Sequence, residues 1–324
     1  MARVLVIGGT LFIGRAMVEQ LLDRGDEVVI MHRSEGTPFG DRVGEILCDR
    51  NDVAAVRDAL AGVRFDLVFD NVYDFEHGTS GEQVKAAAAA LDVSGRYVFM
   101  SSMAAYGHGL GFGEEAPLVA SDYPNPYAAQ KADSERALFR LHDEAGLPVA
   151  TLRPCFVYGP GNPYPRETFF WDRLLAGRPI IVPEDGQTPM QWVHAEDVAR
   201  TALRAAEVDA AAGRAYNVAG DPILTHAEYV RLLADVAGVD AELAHVPRAS
   251  IQEAGGGLMA PPFYFGVYLD VPPLTVKTDR VPSELGVEIR PLEEGLRETY
   301  RWYQAQEPAT PDFSWEDQLL AAAR

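Results

Sequence analysis

The chain has 324 residues, 48% of them apolar and 23% charged, a balance that suits a globular protein of two domains or one large domain with a satellite. Its 28 Lys+Arg against 48 Asp+Glu give a formal charge of −20, which argues against a nucleic-acid partner, because affinity for a phosphate backbone rests on basic patches. No window approaches the ~18 apolar residues of a membrane span. The two cysteines and seven histidines lack zinc spacing, so neither a membrane nor a metal is expected.

The apolar run at the start is too short for a signal-peptide core, and a cytoplasmic protein is expected. Residues 3–7 have strand length and end in Gly8-Gly9-Thr10-Leu11-Phe12-Ile13-Gly14. Apolar positions 17, 18, 21 and 22 predict a helix over 15–24, stopped by Gly25, and 28–31 reads as a second buried strand. Together these predict a βαβ unit with parallel strands and a right-handed crossover. The alternation continues with strands expected at 45–48, 66–70, 96–100 and 149–153 and helices at 53–60, 81–91 and 126–145. This predicts an α/β protein, a Rossmann doubly wound parallel sheet covered on both faces. Cys48 and Cys155 are expected as buried thiols.

After Pro154 the texture changes. Turn residues crowd 158–166, helices are expected at 168–177, 197–208, 227–237 and 292–304, strands at 179–182 and 215–219, and an aromatic, Gly/Pro-rich loop at 255–273. The predicted division is a dinucleotide-binding Rossmann domain, 1–160 with 192–220 returning to it. A smaller interleaved α/β C-terminal substrate domain takes 161–191 and 221–324.

The glycine turn carries the first chemistry. Gly8, Gly9 and Gly14 let the backbone turn tightly at the start of a helix, whose free N–H groups and positive dipole end suit a pyrophosphate. Thr10, Leu11, Phe12 and Ile13 belong to the same cradle. At the end of the second strand stands His32-Arg33-Ser34 rather than a carboxylate. A guanidinium there suits a 2′-phosphate, which favours NADP over NAD. Asp49, after the third strand, is placed for the adenine edge, and Asn71, after the fourth, for the nicotinamide side.

The stretch 101–131 carries the second. Tyr127 and Lys131 stand four residues apart on a predicted helix, hence on one face. A phenol titrates near ~10, and an ammonium one turn away favours its phenolate, as proton transfer at an alcohol or ketone requires. A hydroxyl from Ser101 or Ser102 would hydrogen-bond the oxygen that changes between the two. Only three lysines occur, so the spacing seldom arises by chance.

With these motifs the chain resembles the extended short-chain dehydrogenase/reductases of the NAD-dependent epimerase/dehydratase type. The resemblance rests on 8–14, Cys-Asp-Arg-Asn-Asp (48–52), Ser-Ser-Met-Ala-Ala-Tyr-Gly (101–107), Tyr127-x-x-x-Lys131, Leu-Arg-Pro-Cys-Phe-Val-Tyr-Gly-Pro-Gly (152–161), Trp-Val-His-Ala-Glu-Asp-Val-Ala (192–199) and Pro-Leu-Glu-Glu-Gly-Leu-Arg-Glu-Thr-Tyr (291–300). It implies Ser102 as the catalytic hydroxyl, Tyr127 as acid/base and Lys131 as the group that tunes it and holds the nicotinamide ribose. It also implies that Pro154, Phe156 and Val157 line the nicotinamide pocket and that two copies pair through 81–91 and 126–145; His194 matches a family position but has no evident partner in the sequence and reads as structural.

Departures from the pattern shape the reaction. Leu11 replaces a middle glycine of the turn. Met103-Ala104 stand where dehydratases carry an Asp-Glu pair, so 4,6-dehydration is not expected. Met190-Gln191 replace an Arg-Asp pair whose arginine clamps a substrate diphosphate. Arg166 and Arg173 are candidate substitutes for that cation, and Tyr73, Met103 and Met190 are expected on the substrate side. The ring-rich segments 168–171 and 263–268 read as an apolar substrate wall or as domain core. The expected protein is an NAD(P)-dependent epimerase or ketoreductase acting on a small molecule, a sugar or sugar nucleotide. The alternative is a non-catalytic dinucleotide- or RNA-binding protein, since Arg166-Glu-Thr-Phe-Phe170 also resembles the chloroplast stem-loop RNA-binding subgroup.

Overall fold

The computed structural model describes residues 1–257, 264–307 and 310–322. The chain forms two compact units, the first comprising Met1–Val157, Val193–Ala219 and Val276–Ile289, the second Tyr158–Trp192, Gly220–Thr275 and Arg290–Arg324. Segment 276–289, expected in the second domain, thus belongs to the first.

The first unit is built on a parallel sheet of seven strands. In chain order these begin with β1 (Arg3–Ile7), β2 (Glu27–His32), β3 (Gly44–Leu47), β4 (Arg64–Asp70) and β5 (Asp92–Met100). Strands Val149–Pro154 and Arg214–Val218 complete it beyond β5. The spatial order runs from Arg214–Val218 through Val149–Pro154, β5, β4, β1 and β2 to β3. The order therefore reverses between β1 and β4, which pair in parallel with Ile7 opposite Asp70. Open α/β sheets place their ligand crevice at the carboxyl ends of such a strand pair.

Continuous apolar strands fit a sheet with both faces covered: Val4, Leu5, Val6 and Ile7 are all fully buried. Each such side chain contributes about 1.5–3 kcal/mol relative to exposure. Helices α2 (Val53–Leu60), α3 (Gly81–Ala90) and α4 (Pro126–Ala145) bury Val56, Leu60, Val84, Ala87, Ala88 and Leu138 against Leu5, Ile7, Phe65, Val68, Tyr97 and Phe99. On the other face α1 (Phe12–Asp23) packs on helix Ala195–Glu207, and Gln20 Nε2 donates to Glu196 O at 3.0 Å.

Local signals set the ends of the helices. Asn125 caps α4 by accepting from the Tyr127 and Ala128 amides, Pro126 fills the first turn, and Gly146 ends it in the left-handed region at φ +73°. Ser80 and Gln83 form a capping box on α3.

Helix α1 begins at Phe12, three residues before the expected start, because Phe12 accepts a φ of +46° and Leu11 takes the extended cap position. The returning segment covers the outer edge strand: Arg214 and Tyr216 meet Glu284 at 2.9 and 3.1 Å, and Arg280 donates to Ala215 O.

In the second unit, Ile180–Pro183 pairs in parallel with Leu243–Val246, a strand not expected from the sequence. Helices Arg166–Leu175, His226–Ala237 and Leu292–Gln304 surround Trp171, which is fully buried and donates to Leu233 O. Segment 168–171 is therefore core rather than substrate wall, with Phe169 and Phe170 at 5% and 1% exposure. Of 263–268, Phe263 lies outside the described residues; Tyr264 and Phe265 pack on Phe169. Among the described residues no helix is long and apolar enough to cross a membrane.

Candidate active site

At the end of β1, Gly8 and Gly14 stand where a side chain has no room. A Cβ on Gly14 would lie 1.9 Å from Gly8 O, and one on Gly8, at φ +83°, would lie 2.3 Å from Val72 Cγ2. Helix α1 then opens with no side-chain cap and no acidic residue in its first turn. Its orphan amides are left for an anion. Thr10 and Ile13 stand in this turn. Leu11 is 64% exposed at φ −131°, so its backbone asks for no glycine and its side chain points outward. Asn71, at the end of β4, reaches Gly8 O at 3.5 Å and ties the two strand ends of the crevice together. The tight glycine cradle and uncapped helix fit a dinucleotide pyrophosphate.

At the end of β2 the residues separate. His32 is buried and bonds Glu45 at 2.9 Å, so its ring belongs to the strand pair rather than to a ligand surface. Arg33 keeps 60% of its side chain exposed, with Nη1 3.0 Å from Asp74 Oδ2. The Asp74 carboxyl lies below the usual range, chiefly because the His77 amide donates to it. Ser34 is exposed beside them. Asp49 is exposed and accepts from the Asn51 amide in a turn.

The residues expected to transfer the proton lie at the end of β5 and on α4. Lys131 is 4% exposed and donates from Nζ to Met100 O at 2.6 Å. Its Nζ lies 5.9 Å from the Tyr127 ring centroid, 5.4 Å from Tyr73 and 4.9 Å from Phe99. Burial pushes the Lys131 ammonium down to about 8, opposed by the carboxylates of Asp70 and Glu135. Ser102 is half-buried and accepts from the Ala104 amide at 3.1 Å, which leaves its O–H as a donor.

Ser101, one of the two hydroxyls expected at the reacting oxygen, is instead 2% exposed and gives its hydroxyl to Glu135 Oε1 at 2.5 Å. The alternating pleat turns its side chain inward, away from the crevice. Pro154 is buried at the end of strand Val149–Pro154, and in the short strand Phe156–Tyr158 that follows Phe156 is half-buried and Val157 buried.

Tyr73, expected on the substrate side, and Phe75, not foreseen from the sequence, form an aromatic group with Tyr127 at this end of the sheet. The Tyr127 ring lies edge-on to Tyr73 at 4.7 Å and stacked with Phe75 at 5.6 Å, and Phe75 is 58% exposed. The Tyr73 hydroxyl donates to Gln130 Oε1 at 2.7 Å, so the loop after β4 is anchored to α4. Its only sequence signal is the pair of rings at 73 and 75 after the fourth strand.

The remaining candidates are placed as follows. Met103 is buried in the short 3₁₀ turn Met103–Tyr106. In the second unit Met190 is 1% exposed in a two-residue strand. Arg166 donates to the Tyr268 hydroxyl at 3.1 Å with its guanidinium 4.8 Å from that ring. Arg173 departs from the substrate-facing role expected of it. It is 5% exposed, bonded to Glu316 at 2.6 Å and stacked on Phe169 at 3.3 Å, a cation neutralised inside the unit. His194 caps helix Ala195–Glu207 through Nδ1.

Known proteins agree with this architecture. A family model described as the NAD dependent epimerase/dehydratase family matches residues 4–219. The chain is 31% identical over 258 residues to a 2-alkyl-3-oxoalkanoate reductase from Stenotrophomonas maltophilia, covering 72% of this chain and 76% of that one. It is 27% identical to the chloroplast stem-loop binding protein of 41 kDa b from Arabidopsis thaliana, over 75% of this chain but only 65% of that relative's length. The fold is shared with UDP-glucose 4-epimerase from Thermotoga maritima, at a TM-score of 0.75 and 22% identity over 93% of this chain and 98% of that one. It is shared as well with dTDP-glucose 4,6-dehydratase from Streptomyces venezuelae with NAD bound, at a TM-score of 0.73 and 24% identity over 98% and 99%. From the match over residues 4–219 it follows that this chain belongs to the NAD dependent epimerase/dehydratase family, of the extended short-chain dehydrogenase/reductase type.

Proposed function

We propose that the protein is an NAD(P)-dependent oxidoreductase or epimerase working at a secondary alcohol or ketone, with Tyr127 as the proton-transfer group. The observation that carries this reading is the buried Lys131 ammonium, fixed on Met100 O one helical turn from Tyr127 and beside the strand end that presents Ser102. Tyr127 takes the hydroxyl proton, Lys131 stabilises the phenolate, and the Ser102 O–H holds the substrate oxygen. The nicotinamide of a bound dinucleotide supplies the hydride acceptor or donor. The cradle at 8–14, Asn71 and the wall from Pro154 to Val157 would hold it.

The paired state of Arg33 supports NAD as the dinucleotide. Its charge is met by Asp74 before any 2′-phosphate arrives. Met103 and Ala104 offer no acid or base, which supports oxidation and reduction without loss of water. The exposed Phe75 ring beside Tyr127 favours a carbonyl compound with apolar atoms near the reacting carbon over a nucleotide diphosphate. The likeness to the 2-alkyl-3-oxoalkanoate reductase supports the same choice. Pairing of two copies through α3 and α4 completes the proposal.

Turnover of a panel of 3-oxoacyl compounds, ketoses and nucleotide sugars, followed by NADH absorbance, tests it. Tyr127→Phe is expected to lower turnover by about 10²–10⁴-fold, with dinucleotide affinity nearly intact. Wild-type turnover in that variant refutes the reading. A binding-only role for the same scaffold is the second reading, motivated by the likeness to the chloroplast protein. Salt-sensitive RNA binding with no turnover on the panel would select it, against the expectation from a charge of −20.

A further inference from the structure

Beneath the proton-transfer residues lies a polar network that the proposed chemistry does not use. Glu135, two turns beyond Tyr127 on α4, is fully buried. Its carboxylate accepts from Ser101 Oγ at 2.5 Å, Thr151 Oγ1 at 3.1 Å, Arg153 Nε at 2.9 Å and Arg153 Nη2 at 2.7 Å. Arg153 then donates through Nη1 to the Tyr106 hydroxyl at 2.6 Å and to Glu114 O at 2.8 Å. Tyr106 in turn donates to Asn217 Oδ1 at 2.8 Å. Burial works against the Arg153 cation, yet the Glu135 carboxylate and the Tyr106 oxygen hold its pKa above the ordinary arginine range.

The partners of this one carboxylate are not scattered. Ser101 directly precedes Ser102, and Arg153 directly precedes Pro154. Glu135 shares a helix face with Tyr127 and Lys131. A buried ion pair is a poor source of stability, since a well-packed apolar pair does as well. Its hydrogen bonds do, however, impose directions that apolar packing leaves free.

We infer that Glu135 is a positioning residue, which locks the Ser101–Ser102 step and the Arg153–Pro154 strand end onto the helix that carries Tyr127 and Lys131. The inference rests on the proposed reaction. Ser101 acts in it through Glu135, and Ser102 is the group whose placement it governs. An error of ~1 Å between reacting groups costs on the order of a hundredfold in rate, so losing one direction in this lock reads out in kcat.

Glu135→Ala would strand a buried guanidinium and is not the informative variant. Ser101→Ala and Thr151→Val are. Each removes one hydroxyl bond to Glu135 and leaves the Arg153 pair whole, but only the first loosens the Ser102 step. Both are expected to lower Tm alike and to leave the Kd for NADH within about twofold of wild type. Ser101→Ala should reduce kcat by roughly tenfold or more at unchanged KM, and Thr151→Val should leave kcat unchanged.

Equal effects of the two variants on kcat, or a fall in Tm with kcat untouched in both, overturn the inference. Tyr127→Phe is measured alongside. If that variant keeps wild-type turnover, the reaction itself was misassigned; if it fails while Ser101→Ala works normally, only the positioning role is lost.

Discussion

Arg33 Nη1 lies 3.0 Å from Asp74 Oδ2, so the cation at the end of β2 is answered by the loop after β4. Asp74 is itself held by the amides of Glu76 and His77, which an asparagine oxygen would also accept. Asp74→Asn should therefore release the guanidinium without unfolding the turn. Affinity for NADP is expected to rise about tenfold relative to NAD, and Arg33→Ala should abolish that gain. Fluorescence titration with the two reduced dinucleotides measures both. Unchanged selectivity in Asp74→Asn would show that Arg33 does not meet the 2′ position.

The cradle makes a steric prediction. A methyl at Gly14 has no direction in which to relax, because the clash at 1.9 Å is with backbone oxygen. Gly14→Ala should cost about 1–3 kcal/mol or more and remove dinucleotide binding. Leu11→Gly, at an exposed position with an extended φ, should leave binding intact. Urea unfolding and NADH titration on the two variants check the contrast.

Lys131 sets a pH dependence whose sign is fixed by burial. Its folded pKa is about 8, against 10.5 as the ordinary value. Between those two values the unfolded chain binds more protons than the folded one, so the contribution to stability grows as pH rises. It is lost again as pH falls through about 8. The stability of the wild type minus that of Lys131→Met should therefore climb from pH 8 toward 10.5. Turnover should fall over the same range as the ammonium is lost.

Glu167 in the second unit behaves in the opposite sense. It is 3% exposed, accepts from the Tyr229 hydroxyl, and burial raises its carboxyl to about 7. A raised carboxyl stabilises the fold below its unfolded pKa, ~4.3, and that help is lost as pH rises through the folded value. Glu167→Gln should gain on the wild type in denaturation midpoint between about pH 4.3 and 7, with no further gain above. A constant gap from pH 4 to 8 would contradict this.

What was legible in the sequence depended on distance along the chain. Helix α4 was readable to the residue because Asn125, Pro126 and Gly146 mark both ends locally, and Tyr127 and Lys131 follow from its period. The start of α1 departs from the expected position because no side chain caps it, so the usual marker is missing. Strand Leu243–Val246 is short and finds its partner only in three dimensions. Phe75 reaches Tyr127 from a loop 52 positions earlier, and nothing in the local pattern says so. Glu135 carries no signal in the sequence, since only its neighbours from two strands reveal that it is buried. Arg173 shows the converse case, a cation that looked available until Glu316, 143 residues later, was found beside it.

The return of segment 276–289 to the first unit bears on how the protein can be made and cut. The backbone passes between units after residues 157, 192, 219, 275 and 289, so no single cleavage releases either one. During synthesis the strand Arg214–Val218 emerges well before Arg280 and Glu284, the side chains that cover its outer edge. Until Arg280 follows, the Ala215 carbonyl on that edge lacks its partner, although Glu114 can already hold the Asn217 amide. A chain halted near residue 220 would carry every residue assigned to proton transfer and would still lack the side chains that cover this edge.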